Sequence, residues 1–91
     1  MRLLLIAYDV KSKQRDYTPL FAAIKTSGTH WWHYISNTWL VYTDKNPKQV
    51  FDALHPFIDE VKDNVLVVEI TKNYQGWLPK KAWEWINSKQ L

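Results

Sequence analysis

Apolar positions follow two different rhythms along this chain, and each change of rhythm marks a new element. From Arg2 to Tyr8 both alternating sets are apolar, with Leu3, Leu5 and Ala7 on one side and Leu4, Ile6 and Tyr8 on the other. That pattern predicts a central strand covered on both faces. A polar, basic stretch follows from Lys11 to Asp16. Leu20, Phe21 and Ile24 then recur at helical spacing, with Thr18 as N-cap, Pro19 at the first helical position and Gly28 as the stop. His30 to Thr43 alternates again and breaks at Ser36-Asn37, which predicts a hairpin. With a two-residue turn, Trp32 and Tyr34 share a face with Trp39 and Val41. Trp31 and His33 then share the other face with Leu40 and Tyr42.

The second half begins with Asn46-Pro47-Lys48-Gln49. Asn46 is placed to cap, Pro47 to occupy the first turn, and Gln49 to complete a capping box. Val50, Phe51, Leu54, Ile58 and Val61 follow at helical spacing, and Pro56 predicts a kink or interruption among them. Val65 to Ile70 reads as a fourth strand. Beyond it, Tyr74-Gln75-Gly76-Trp77-Leu78 leads to a short helix opened by Pro79 and carrying Ala82, Trp83, Trp85 and Ile86. The order strand, helix, hairpin, helix, strand predicts an α+β, ferredoxin-like βαββαβ fold. Its first and third strands are central in an antiparallel sheet. A single domain over residues 1–91 is expected, with a core at 1–72 and a C-terminal helical appendix at 73–91. Helices cover one face of such a sheet. The apolar, aromatic second face predicts a second copy packed against it in a homodimer.

Composition narrows the chemistry. The 91 residues contain no cysteine, which excludes disulfides, thiolate metal sites and cysteine nucleophiles and fits a cytoplasmic setting. The opening Met1-Arg2-Leu3-Leu4-Leu5-Ile6 is too short for a signal peptide's apolar region, and no stretch is long enough to span a membrane. A net charge of +3 tolerates a phosphate-bearing partner without requiring one. Six tryptophans in so short a chain need a core, an interface or a ligand surface to absorb them. Phosphate-binding glycine loops, nucleophile elbows and the His-Glu-x-x-His zinc motif are all missing. Their absence argues against nucleotide-driven motors, dinucleotide enzymes, common serine hydrolases and zincins.

The run Leu3-Leu4-Leu5-Ile6-Ala7-Tyr8-Asp9-Val10 is followed by a basic loop with Arg15, a glycine-ended helix and an aromatic hairpin. Together these resemble CRISPR-associated protein 2 and its relatives, including the small SinR proteins. The ending Asn73-Tyr74-Gln75-Gly76-Trp77-Leu78-Pro79 looks most like the SinR branch. The resemblance implies a ferredoxin-like homodimer acting on RNA or DNA. It also implies a divalent metal, Mg²⁺ or Mn²⁺, held between subunits by the aspartate that ends the first strand, here Asp9. Some members are endoribonucleases or other phosphodiesterases; others bind nucleic acid as structural adaptors.

Each candidate residue carries a plainer reading beside the functional one. Asp9 is either the catalytic, metal-binding carboxylate or a strand-end aspartate bonded to its own loop. Lys11, Lys13 and Arg15 either contact phosphates or form a solvated charged loop. The hairpin tryptophans either stack on bases or fill core and interface. His30 and His33 fall on opposite faces of a strand and make no metal pair; His33 is a candidate acid or base. The expected function is thus a homodimeric nucleic-acid-binding protein with a metal-dependent endoribonuclease as its catalytic form. The alternative is a non-catalytic dimeric module for an oligonucleotide, small nucleotide or protein.

Overall fold

A computed structural model describes residues 1–12 and 15–89. The chain runs β1 (Arg2–Asp9), α1 (Thr18–Thr26), β2 (His30–Ile35), β3 (Thr38–Thr43), α2 (Pro47–Leu54), a 3-10 turn (His55–Phe57), β4 (Asn64–Ile70) and α3 (Lys80–Asn87). The four strands form one antiparallel sheet in the order β2-β3-β1-β4, so the all-apolar β1 and its partner β3 are central. This is the ferredoxin-like arrangement. Leu4, Ile6, Tyr8, Trp39 and Val41 point to the face covered by α1 and α2, where they meet Leu20, Ile24, Val50 and Leu54. Each such aliphatic side chain contributes about 1.5–3 kcal/mol on full burial.

The opposite face is not left open. Leu3, Trp32 and Leu40 form a second cluster with Ala82 and Ile86 of α3, flanked by Leu78, Trp83 and Trp85. The C-terminal helix therefore covers much of the face that the sequence pattern assigned to a second copy. What remains bare is a strip at the other end of the sheet. It contains Leu66 and Val68 of β4, 62% and 42% exposed, beside the half-buried Leu5 and Ala7 of β1.

Local chemistry explains most helix boundaries. Asn46 Oδ1 accepts from the Gln49 N–H and Gln49 Oε1 accepts from the Asn46 N–H, a complete capping box. Pro56 ends α2 in the 3-10 turn, so Val61 lies beyond the helix and is exposed rather than on its apolar stripe. At α1, the first turn already includes Thr18. Tyr17 therefore takes the N-cap position expected of Thr18 without a side-chain cap bond, and the Thr18 N–H is satisfied by Asp16 Oδ1 at 2.9 Å.

Gly28 is required for a reason other than a left-handed helix stop, since no glycine has positive φ and Ser27 ends α1 in the right-handed region. A Cβ on Gly28 would overlap the Tyr42 carbonyl oxygen and lie 2.6 Å from Val41 Cγ1. The surrounding crossing is tight: Thr29 N–H donates to that same carbonyl at 2.9 Å, and Thr43 Oγ1 donates to the Ser27 carbonyl at 2.8 Å.

The hairpin departs from simple alternation. Ile35 pairs with Thr38 across the two-residue turn, but Trp32 pairs with Leu40 and Trp31 with Val41. One extra residue sits in β2 between Trp32 and Ile35, a β-bulge that flips everything beyond it to the other face. Trp32 accordingly joins Leu40 beneath α3. Trp31 joins Trp39 and Val41 on the α1 side, with ring centroids of Trp31 and Trp39 5.3 Å apart. The expected pairing of faces is reversed for both tryptophans.

Candidate functional site at the end of β1

Strand alternation places Asp9 on the same face as Leu5 and Ala7, opposite Asn64 of β4. Asp9 lines a shallow depression with Ala7, Asn64 and Leu66, next to the bare strip. Its carboxylate is 58% exposed and pairs with Lys11 Nζ at 3.1 Å. An exposed pair of this kind is worth about 0–1 kcal/mol, so it is easily displaced.

The loop beyond Asp9 is held by a buried aspartate that sequence reasoning missed. Asp63, just before β4, accepts from the Lys11 N–H at 2.9 Å and from the Asp59 N–H at 2.8 Å. Tyr17 Oη donates to the same carboxylate at 2.6–2.7 Å and accepts from the Ser12 N–H at 3.1 Å. Burial by itself raises the Asp63 pKa, but the Tyr17 hydroxyl and the surrounding backbone N–H groups outweigh it and hold the carboxyl below its usual range. Burial, and then the Asp63 carboxylate, push the Tyr17 phenol up. The faint signal for this clasp was a polar Lys62-Asp63-Asn64 step before a strand and a tyrosine just ahead of a helix.

The sequence-derived candidates are only partly gathered. Asp9 and Lys11 are in contact. Arg15 is exposed, its N–H donating to the Ser12 carbonyl at 3.4 Å, while Lys13 lies outside the described residues. His33 is near the same end of the sheet, where the Tyr8 N–H meets the Asn37 carbonyl, but its ring points to the α1 side. It stacks on Trp39 with centroids 3.8 Å apart, and its Nε2 donates to the Ser36 carbonyl at 3.0 Å. An acid or base role beside Asp9 therefore finds no geometric support. On the same side Lys25 Nζ sits 4.9 Å from the centroid of the half-exposed Trp31, a cation–π contact.

Among the described residues, no group of three His, Asp or Glu side chains is placed to hold a metal. One chain supplies Asp9 alone, which does not fit a divalent site by itself. None of the helices in the described residues is long and apolar enough to cross a membrane.

No family model and no curated protein matches the chain. Among solved structures, the hypothetical protein TT1823 from Thermus thermophilus is similar at a TM-score of 0.64 with 16% identity, covering 86% of this chain and 92% of that one. At that identity the likeness speaks for the fold alone.

Proposed function

We propose that the protein is a homodimeric nucleic-acid-binding protein resembling CRISPR-associated protein 2, with the Asp9 carboxylates of two copies meeting at the seam. The observation that supports this reading is the position of Asp9 on the same face as the exposed Leu66 and Val68 and the half-buried Leu5 and Ala7 beside them. A second copy laid on that strip removes apolar surface from water and brings the two carboxylates toward one axis. Paired carboxylates answer the shortage of ligands in one chain. Mg²⁺ or Mn²⁺ bound there would supply charge neutralisation and water activation at a phosphodiester of RNA or DNA. Lys11 and Arg15 would position the phosphates, and the Asp63–Tyr17 clasp holds the loop that presents Lys11.

The test combines cleavage with oligomeric state. Labelled single- and double-stranded RNA and DNA are incubated with Mg²⁺ or Mn²⁺, wild type beside Asp9→Asn, while sedimentation compares wild type with Leu66→Lys. Metal-dependent cleavage lost in Asp9→Asn, and a dimer lost in Leu66→Lys, are the expected results. A wild-type monomer, or cleavage untouched in Asp9→Asn, overturns the catalytic reading. Binding of the same strands by a dimer without turnover supports the non-catalytic module instead. That second reading draws on the exposed aromatic and basic surface of Trp31 and Lys25.

A further inference from the structure

The nine acidic residues of this chain are spread unevenly, and the gap between them falls on one surface. Between Asp16 and Asp44 there is no Asp or Glu at all, so α1, β2 and β3 carry no negative side chain at neutral pH. β2 is an outer edge of the sheet. Its bulge interrupts the row of edge N–H and C=O groups, which makes it a poor template for an added strand. What the edge offers on its α1 side is ring surface. The Trp31 ring, 43% exposed, leans on the buried Trp39 with centroids 5.3 Å apart. The exposed His33 ring lies flat on the same indole, 3.8 Å away and 12° from parallel. Two outer rings are thus fixed on one core residue, so little freedom is left to lose when a ligand stacks on them.

Lys25, in the last turn of α1, holds its ammonium 4.9 Å from the Trp31 centroid and 6.0 Å from that of Trp39. The helix C-terminus favours a cation there. Outward aromatic rings with a cation beside them, on elements that carry no carboxylate, suit a ligand that is both planar and anionic. A nucleotide chain combines the two, and only unpaired bases expose their faces, which selects a single strand over a duplex. One base–aromatic stack is worth roughly 5- to 150-fold in affinity, against roughly two- to fivefold for an exposed cation–π contact. An arriving base therefore displaces the ammonium from the ring, toward a phosphate. The rings lie on the α1 face at the β2 edge, whereas the strip beside Asp9 lies on the other face at the β4 edge. A dimer joined at that strip leaves them open in both copies.

We infer that Trp31, His33 and Lys25 form a platform for single-stranded nucleic acid, in which unpaired bases stack on the two rings and Lys25 pairs with a neighbouring phosphate. The inference rests on the nucleic-acid reading above and sets this contact apart from Asp9. Base faces and phosphates are common to RNA and DNA, so the platform accepts both. Its test is the anisotropy of labelled oligothymidylate and oligouridylate, each of about ten nucleotides, in EDTA and again in Mg²⁺. A blunt DNA hairpin is the duplex comparison.

In EDTA, wild type is expected to bind both single strands with similar affinity and the hairpin about tenfold more weakly. Trp31→Ala is expected to weaken single-strand binding by about tenfold, and Trp31→Phe, which keeps a ring, by about threefold or less. Lys25→Gln should lower the slope of log affinity against log salt by about 0.7, the value of one phosphate contact on a single strand. Trp77→Ala, which removes a 97% exposed indole from the opposite face, is expected to change nothing. On ¹⁵N-labelled wild type the Trp31 indole N–H resonance, assigned from Trp31→Phe, is expected to move with oligothymidylate. Strands that bind only in Mg²⁺ overturn the platform and leave the Asp9 reading standing; strands that bind in neither condition overturn both. Binding that Trp31→Ala leaves intact, that Trp77→Ala weakens equally, or that prefers the hairpin overturns the platform alone. A Trp31 resonance that stays in place does so even if Trp31→Ala fails to fold.

Discussion

Replacing Asp63 by asparagine isolates the clasp that joins the loop after β1 to the start of β4. The carboxylate accepts from two backbone N–H groups and from Tyr17 Oη, and it is buried. Asparagine keeps one oxygen, loses the charge, and turns an amide N–H₂ toward a group that itself donates. Hydrogen bonds to a charged group contribute about 1.5–3 kcal/mol each, and a buried donor left unpaired costs about 1–3 kcal/mol. With partial relaxation, Asp63→Asn is expected to lose about 2–4 kcal/mol, against a total of roughly 5–14 kcal/mol for a chain of this length. The thermal midpoint should fall by roughly 10–25 °C. Urea unfolding of wild type, Asp63→Asn, Tyr17→Phe and the double variant gives the coupling directly, expected at about 1 kcal/mol or more.

The clasp also predicts a pH signature. The folded Asp63 pKa lies below its unfolded value, so its contribution is complete above about pH 4 and is lost as pH falls through the lower folded value. Tyr17 behaves oppositely: its raised pKa makes its contribution complete below about pH 10 and lost as pH climbs through the folded value. The deficit of Asp63→Asn relative to wild type should therefore shrink in acid. Single variants that each lose under about 0.5 kcal/mol and add without coupling, or a deficit independent of pH, would refute the reasoning.

Gly28→Ala should destabilise by about 1–3 kcal/mol in urea unfolding, because its Cβ meets backbone at Tyr42 rather than a side chain that can swing away. Gly76→Ala, by contrast, should stay within about 0.5 kcal/mol of wild type, since its Cβ reaches only ordinary contact with Trp83. Asn46→Ala should lose about 1 kcal/mol through the broken capping box, with amide exchange rising first at the start of α2. Leu54→Ala, at a fully buried core position, should lose about 2–5 kcal/mol and lower the thermal midpoint accordingly.

The elements that local physics dictates were legible in the chain itself. The double-faced apolar run of β1, the Asn46–Gln49 capping box and the break at Pro56 each depend on neighbours within a few residues, and periodicity exposes them. So did the order of elements, which restricts four strands and two crossover helices to few right-handed topologies. The face to which Trp31 and Trp32 belong was not legible, because a bulge of one residue leaves no mark in alternation until the partner strand sets the register. Gly28 announced itself as a glycine but not its reason, which lies fourteen residues away in the Tyr42 carbonyl. Asp9 was visible as a strand-end carboxylate. Asp63 and Tyr17, forty-six residues apart, met only when the sheet brought β1 beside β4. The destination of α3 was likewise a tertiary decision. Its apolar residues require a surface, but only the assembled sheet shows that Leu3, Trp32 and Leu40 supply it and that the strip beside Asp9 stays bare.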